Sequence, residues 1–255
     1  MIDKESVFHN YIMAFKDVDL ELESAPFDWV PSIVWGSQSF VYSQMLFEHS
    51  RELSNNINRL ARLICKLKSW ELVVEGMSDK DKFEVILEFI DDSSTVAINL
   101  PYVIKARFSF SIAHLCHQAN QYLDPKWVDK IVYDQKIDIG IAMEKAKKWS
   151  CFSDLYKKML EINDEGFIGE TLDFRNKYNH RYSPKIEVGL TELIKRTKNS
   201  SGDVVYKIGQ TKPLKLKNIV ISLIKQHKKC IEAYSLYQKL VMQHLEVFEG
   251  EKFSP

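Results

Sequence analysis

The chain has 255 residues, of which 45% are hydrophobic and 27% charged, a globular mixture that excludes general disorder and suits one large domain or two small ones. Its formal net charge of zero hides a polarity: residues 1–100 carry 9 Lys and Arg against 17 Asp and Glu, a balance of −8, and residues 101–255 carry 26 against 18, a balance of +8. A site for an anion therefore belongs in the second part, unless the two parts merely attract each other within or between subunits.

In chain order, residues 1–38, with Trp29 and Trp35 around Pro31, read as an irregular packed arm, and residues 39–255 as one helical domain. From Ser39 to about Val74 the residues Leu46, Leu53, Ile57, Leu60, Ile64 and Leu67 recur at helical spacing, and Gly76 ends the run. Ser78 with Asp81 resembles a capping box for a second helix through Phe83, Ile86, Leu87 and Ile90. A solvated turn is expected at Asp91-Asp92. A third helix follows from about Thr95 to Tyr122, with Pro101 tolerable near its start.

Shorter helices are expected at about 125–133, 139–149 and 154–161, introduced by Asp124-Pro125, Asp138 and Ser153. Asn163-Asp164-Glu165 then caps a helix that lasts until Tyr182, where Ser183-Pro184 stops it. Residues 188–197 and 203–209, rich in β-formers, flank Asn199-Ser200-Ser201-Gly202 and predict a hairpin. Pro213 opens a last long helix through Ile219, Leu223, Ile231, Tyr234, Leu240, Val241 and Phe248. The fold class is all-α with a small β-hairpin insertion before the C-terminal helix.

The usual phosphate-loop, dinucleotide, nucleophile-elbow and zincin motifs are absent. Gly166-Phe167-Ile168-Gly169 matches a bare GxxG, but its middle pair is apolar, which favours helix packing over a phosphate loop. His114 and His117, with Cys116 between them, have no third ligand nearby in sequence and read as core or interface residues; no metal or cofactor is expected. Cys65, Cys116, Cys151 and Cys230 are far apart without a CxxC pair, as for reduced core thiols. The Lys-rich stretches at 145–148, 195–198 and 225–229 read as solvated faces that also carry the charge an RNA backbone needs. No run is apolar over the roughly 18 residues of a membrane span, and the N-terminus lacks a signal-peptide layout, so a cytoplasmic protein without membrane contact is expected.

One motif rises above this background: Arg175-Asn176-Lys177-Tyr178-Asn179-His180-Arg181, an Arg followed by a polar residue, three others and His. Arg107 and His114 fit a looser spacing, but Arg107 is followed by Phe108 on an apolar face. Asn176 and His180 are four apart and share one side of a helix, whereas Phe167, Thr171, Phe174 and Tyr178 form a separate stripe that can pack inward. A neutral imidazole can take a proton from a ribose 2′-OH, and a guanidinium can hold a phosphate as negative charge grows on it. The alternative is that Arg175 and His180 only complement a helix C-terminus, where cations are favoured.

Arg175-Asn176-x-x-x-His180 resembles the RNxxxH signature of the HEPN superfamily of helical domains. The resemblance implies an antiparallel helical bundle over about residues 95–248. It also implies a homodimer whose two motif copies meet in a cleft, and a metal-independent endoribonuclease of the toxin or phage-defence type. His180 would be the general base, Arg175 the phosphate holder and Asn176 an orienting residue, with Lys177, Tyr178 and Arg181 binding the RNA substrate. An antitoxin or regulatory protein would be a further partner. Two other readings stay open: a non-catalytic RNA- or nucleotide-binding helical dimer, and a partner-binding structural module.

Overall fold

The Asp3 carboxylate accepts hydrogen bonds from the backbone amides of Glu5 and Ser6, and this cap starts α1, Lys4–Asp17. The computed structural model of the chain describes residues 2–30, 37–131 and 136–250. Its first helix corrects the expected irregular arm: Val7 and Tyr11, four apart, are buried and give the segment an amphipathic face. Residues 18–30 hold no helix or strand, and Pro31 and Trp35 lie outside the described residues.

The chain is predominantly helical. α2, Ser37–Val74, follows the expected stripe, with Leu46, Leu53, Ile57, Leu60, Ile64 and Leu67 all buried, and Gly76 beyond it adopts φ +81°. The Ser78 hydroxyl accepts from the Asp81 amide at 3.2 Å to start α3, Asp79–Val85. A single π-turn, Ile86–Ile90, then leads directly into α4, Asp91–Leu123. Asp91 and Asp92 therefore sit on the exposed side of a helix instead of in a turn. Ile86 and Ile90, at the two ends of the π-turn, are both buried. Pro101 consequently lies well inside α4, where it leaves the Ala97 carbonyl without its helical donor.

No helix forms at the described residues of 125–133, and residues 132–133 lie outside them. Local side-chain turns win there: the Asp124 carboxylate accepts from the Lys126 amide, and Asp129 from that of Ile131. Asp138 caps α5, Ile139–Ala146, and α6 is Phe152–Glu161. The expected helix at 163–182 is two: α7, Glu165–Glu170, capped by Asp164, and α8, Phe174–His180. Leu172 and Asp173, both at positive φ, separate them. β1, Ile194–Lys198, and β2, Val204–Ile208, pair antiparallel, shorter than expected because Thr191 and Thr211 meet only as an isolated bridge. α9, Leu216–Gly250, completes the chain.

The structure divides into two compact units. One comprises residues 1–21, 62–99 and 164–225, the other residues 22–61, 100–163 and 226–255. The boundary falls within α2, α4 and α9. The first unit is pinned by aromatic stacking, Tyr11 on Trp70 at 4.3 Å and Trp70 on Phe89 at 5.1 Å between ring centroids. In the second, the buried Tyr237 hydroxyl meets Ser50 and Ser111, and Trp149 donates to Asn120 at 3.0 Å. Among the described residues no helix is long and apolar enough to cross a membrane.

Candidate functional site

The motif helix is short because both of its ends are built by backbone conformation. At its start Thr171 accepts no further helical turn: its hydroxyl bonds back to the Phe167 carbonyl at 2.8 Å, and Asp173 enters α8 in the left-handed region. Phe174, almost wholly buried, anchors the helix, and Asn176 donates to the Asp173 carboxylate at 2.9 Å. His180 is the last residue of α8, and Arg181 follows it at the C-cap.

Asn176, His180 and Arg181 are exposed, and Arg175 is half-buried. Tyr178, whose ring stacks on Phe174 at 5.8 Å, corrects the inward packing expected for it: it is 52% exposed. Arg175 and His180, five apart, lie roughly 140° apart around the helix. Tyr178, His180 and Arg181 line an open groove of 1080 Å³ with Tyr182 and Lys185; residues 190–194 form its other wall.

That second wall is fixed by two glutamates at positive φ, Glu187 and Glu192. The buried Glu187 accepts from the Leu216 amide and from Lys215 Nζ, and so caps α9. Its own amide donates to the Leu214 carbonyl at 2.8 Å, while the Leu214 amide donates to Lys185, a clasp that holds the chain leaving α8 against the start of α9. Glu192 accepts from the Thr211 hydroxyl and from Lys177 Nζ at 3.3 Å, with Lys195 at 3.8 Å. The Thr211 hydrogen bond and then the two ammonium groups hold its carboxyl below the usual range. Lys177, expected to bind substrate, is thus engaged with Glu192. Neither glutamate carried a local signal in the sequence, since each acts on a partner distant along the chain.

The other expected sites resolve as packing. His117 accepts from Trp127 Nε1 at 3.0 Å and lies 3.5 Å from Asp129, and Cys116 is buried beside His244. Arg107 is exposed and pairs with Glu52 at 3.5 Å. Gly166-Phe167-Ile168-Gly169 lies in α7 with Phe167 buried. Lys145 is not on a solvated face: it is 3% exposed, and it and Lys148 lie over the Trp127 ring at 5.8 and 5.3 Å. Lys229 donates to the Glu161 carbonyl, and Lys225 pairs with Glu170. Among the described residues, no three His, Cys, Asp or Glu side chains are grouped to hold a metal ion. No family model, no curated protein and no solved structure matches the chain.

Proposed function

We propose that the protein is a metal-independent endoribonuclease of the HEPN type, working as a homodimer in a toxin or phage-defence setting. One observation carries the reading: the motif imidazole, His180, opens onto the same groove as Arg181, Lys185, Tyr178 and Tyr182. An imidazole, cations and exposed rings are what a ribonucleotide requires: a base for the 2′-OH, charge for the phosphate and faces for stacking. His180 takes the proton from the 2′-OH as its oxygen attacks the adjacent phosphorus. The bond to the 5′-oxygen breaks, that oxygen takes a proton from water, and a 2′,3′-cyclic phosphate remains. Arg175 and Arg181 hold the phosphate as its charge rises, and Asn176 orients the end of α8 through Asp173. The second copy brings its own α8 to the cleft.

Incubation of purified protein with single-stranded RNA in EDTA tests the reading. Cleavage leaving a 2′,3′-cyclic phosphate and a free 5′-OH is expected, with DNA and 2′-O-methylated RNA spared. A 5′-phosphate with a 3′-OH, or activity that returns only with Mg²⁺, overturns the mechanism. Retention of RNA without cleavage favours a binding module instead.

A further inference from the structure

The β1–β2 hairpin is a two-stranded ribbon with an uncovered apolar face. Residues directly opposite in an antiparallel pair share a face, so Ile194, Ile208, Arg196, Tyr206, Lys198 and Val204 stand together on one side. Ile194 is 61% exposed, Tyr206 71% and Ile208 92%. On the other side Lys195 lies opposite Lys207, a like-charge pair that weakens the ribbon. A two-stranded hairpin is marginal in water even without these features. Folding alone gives no reason to keep bare isoleucines, a bare tyrosine and facing lysines on it.

Charge selects the occupant. Residues 181–215 contain eight Lys and Arg against three acids. Two of those acids, Glu187 and Glu192, are committed to α9 and to Thr211 and Lys177. The third, Asp203, accepts from Asn199 at the turn. Of the ribbon's cations only Lys195 has an acidic partner, Glu192 at 3.8 Å; no ion pair is formed by Arg196 or Lys198 among the described residues, and the partner this face fits is anionic. A second copy of the ribbon is disfavoured, because two-fold pairing would set like charges against each other. Arg196 and Lys198, alternate residues on one face, stand about 7 Å apart. An extended single strand can follow that spacing phosphate by phosphate while Tyr206, across from Arg196, offers a ring to a base.

We infer that the β1–β2 ribbon is a docking surface for a single-stranded nucleic acid, with Arg196 and Lys198 on its phosphates and Tyr206 stacked on a base. The inference rests on the proposed ribonuclease activity only for choosing RNA over DNA. The strand runs from the ribbon toward the groove, whose wall ends at Ile194, the first residue of β1.

Fluorescence anisotropy with a labelled 2′-O-methyl RNA oligonucleotide, which cannot be cut by 2′-OH attack, tests docking apart from chemistry. Tyr206→Ala is expected to weaken binding about 5- to 100-fold. The double variant Arg196→Gln, Lys198→Gln is expected to flatten the dependence of log affinity on log salt by about 1.4, since each phosphate contact contributes about 0.7. Because this oligonucleotide cannot be cut, a failure of the ribonuclease reading leaves the measurement standing; Arg107→Ala, at an exposed position outside the groove and the ribbon, is expected to leave affinity within about twofold. The charge reversal Lys198→Glu, at an exposed position, should abolish binding even if the double variant folds poorly. Unchanged affinity and salt slope in all ribbon variants overturns the inference. So does a wild-type protein that ignores the oligonucleotide yet captures polyglutamate, which would make the partner an acidic protein.

Discussion

The Tyr42 hydroxyl lies 2.8 Å from Nδ1 of His244, and both side chains are removed from solvent. Burial lowers the His244 imidazole to about 3, and lowers that of His227, whose Nε2 is buried without a partner, to about 4. Both rings are therefore neutral in the folded chain near neutrality, whereas in the unfolded chain they titrate near 6.5.

The sign of the resulting pH dependence follows. Above about pH 6.5 neither state binds these protons; below it the unfolded chain takes up two that the folded chain refuses until pH nears 4. Denaturant unfolding should lose about 1.4 kcal/mol of stability per pH unit for each ring between pH 6.5 and 4.5. His227→Gln should remove one proton's share of that slope. A slope unaltered by the substitution would mean the ring is already solvated.

Glu192 gives the opposite case. Its carboxyl is lowered in the folded state, so the stability it contributes is present above the unfolded value of about 4.3 and disappears as pH falls through the folded value. Glu192→Gln should cost about 1–2 kcal/mol at pH 7, the worth of a charge-assisted hydrogen-bonded group that is one-quarter exposed. Wild type and variant should converge as pH falls through the lowered folded value, read as the difference between their unfolding free energies.

At the proposed catalytic helix, His180→Ala and Arg175→Ala should each reduce RNA cleavage at least about 100-fold while circular dichroism stays that of the wild type. Arg107→Ala and His114→Ala should leave the cleavage rate within about twofold. Full activity in the first pair would remove both residues from the mechanism.

If two α8 helices meet in a dimer, Tyr178, half-exposed in one copy, lies at or near the contact. Sedimentation at micromolar concentration should show a dimer, and Tyr178→Glu should shift it toward monomer. A wild-type monomer under the same conditions contradicts the shared cleft.

Much of this architecture was legible in the residues. The stripe from Leu46 to Leu67 with its stop at Gly76 needs only periodicity and one backbone preference, and Ser78, Asp138 and Asp164 announced helix starts that formed. The break between α7 and α8 was not legible: Leu172 and Asp173 are neither Gly nor Pro, and Leu in the left-handed region is disfavoured unless tertiary contacts impose it. Lys145 read as solvated because its partner Trp127 lies 18 residues away, in a segment expected to be helical. The exposure of Asn176 and His180 followed from their spacing, whereas that of Tyr178 did not, since it shares its helical spacing with the buried Phe167, Thr171 and Phe174.

The division of α2, α4 and α9 between two units sets how the chain can be cut. Each unit is woven from three separate stretches, so no single cleavage releases either one whole. The stretch carrying α8 and the ribbon, residues 164–225, lacks the Tyr11, Trp70 and Phe89 stack that belongs to its own unit. A fragment trimmed to the motif should therefore be unstructured. Limited proteolysis of the intact protein should yield nicked but associated pieces, never a free domain.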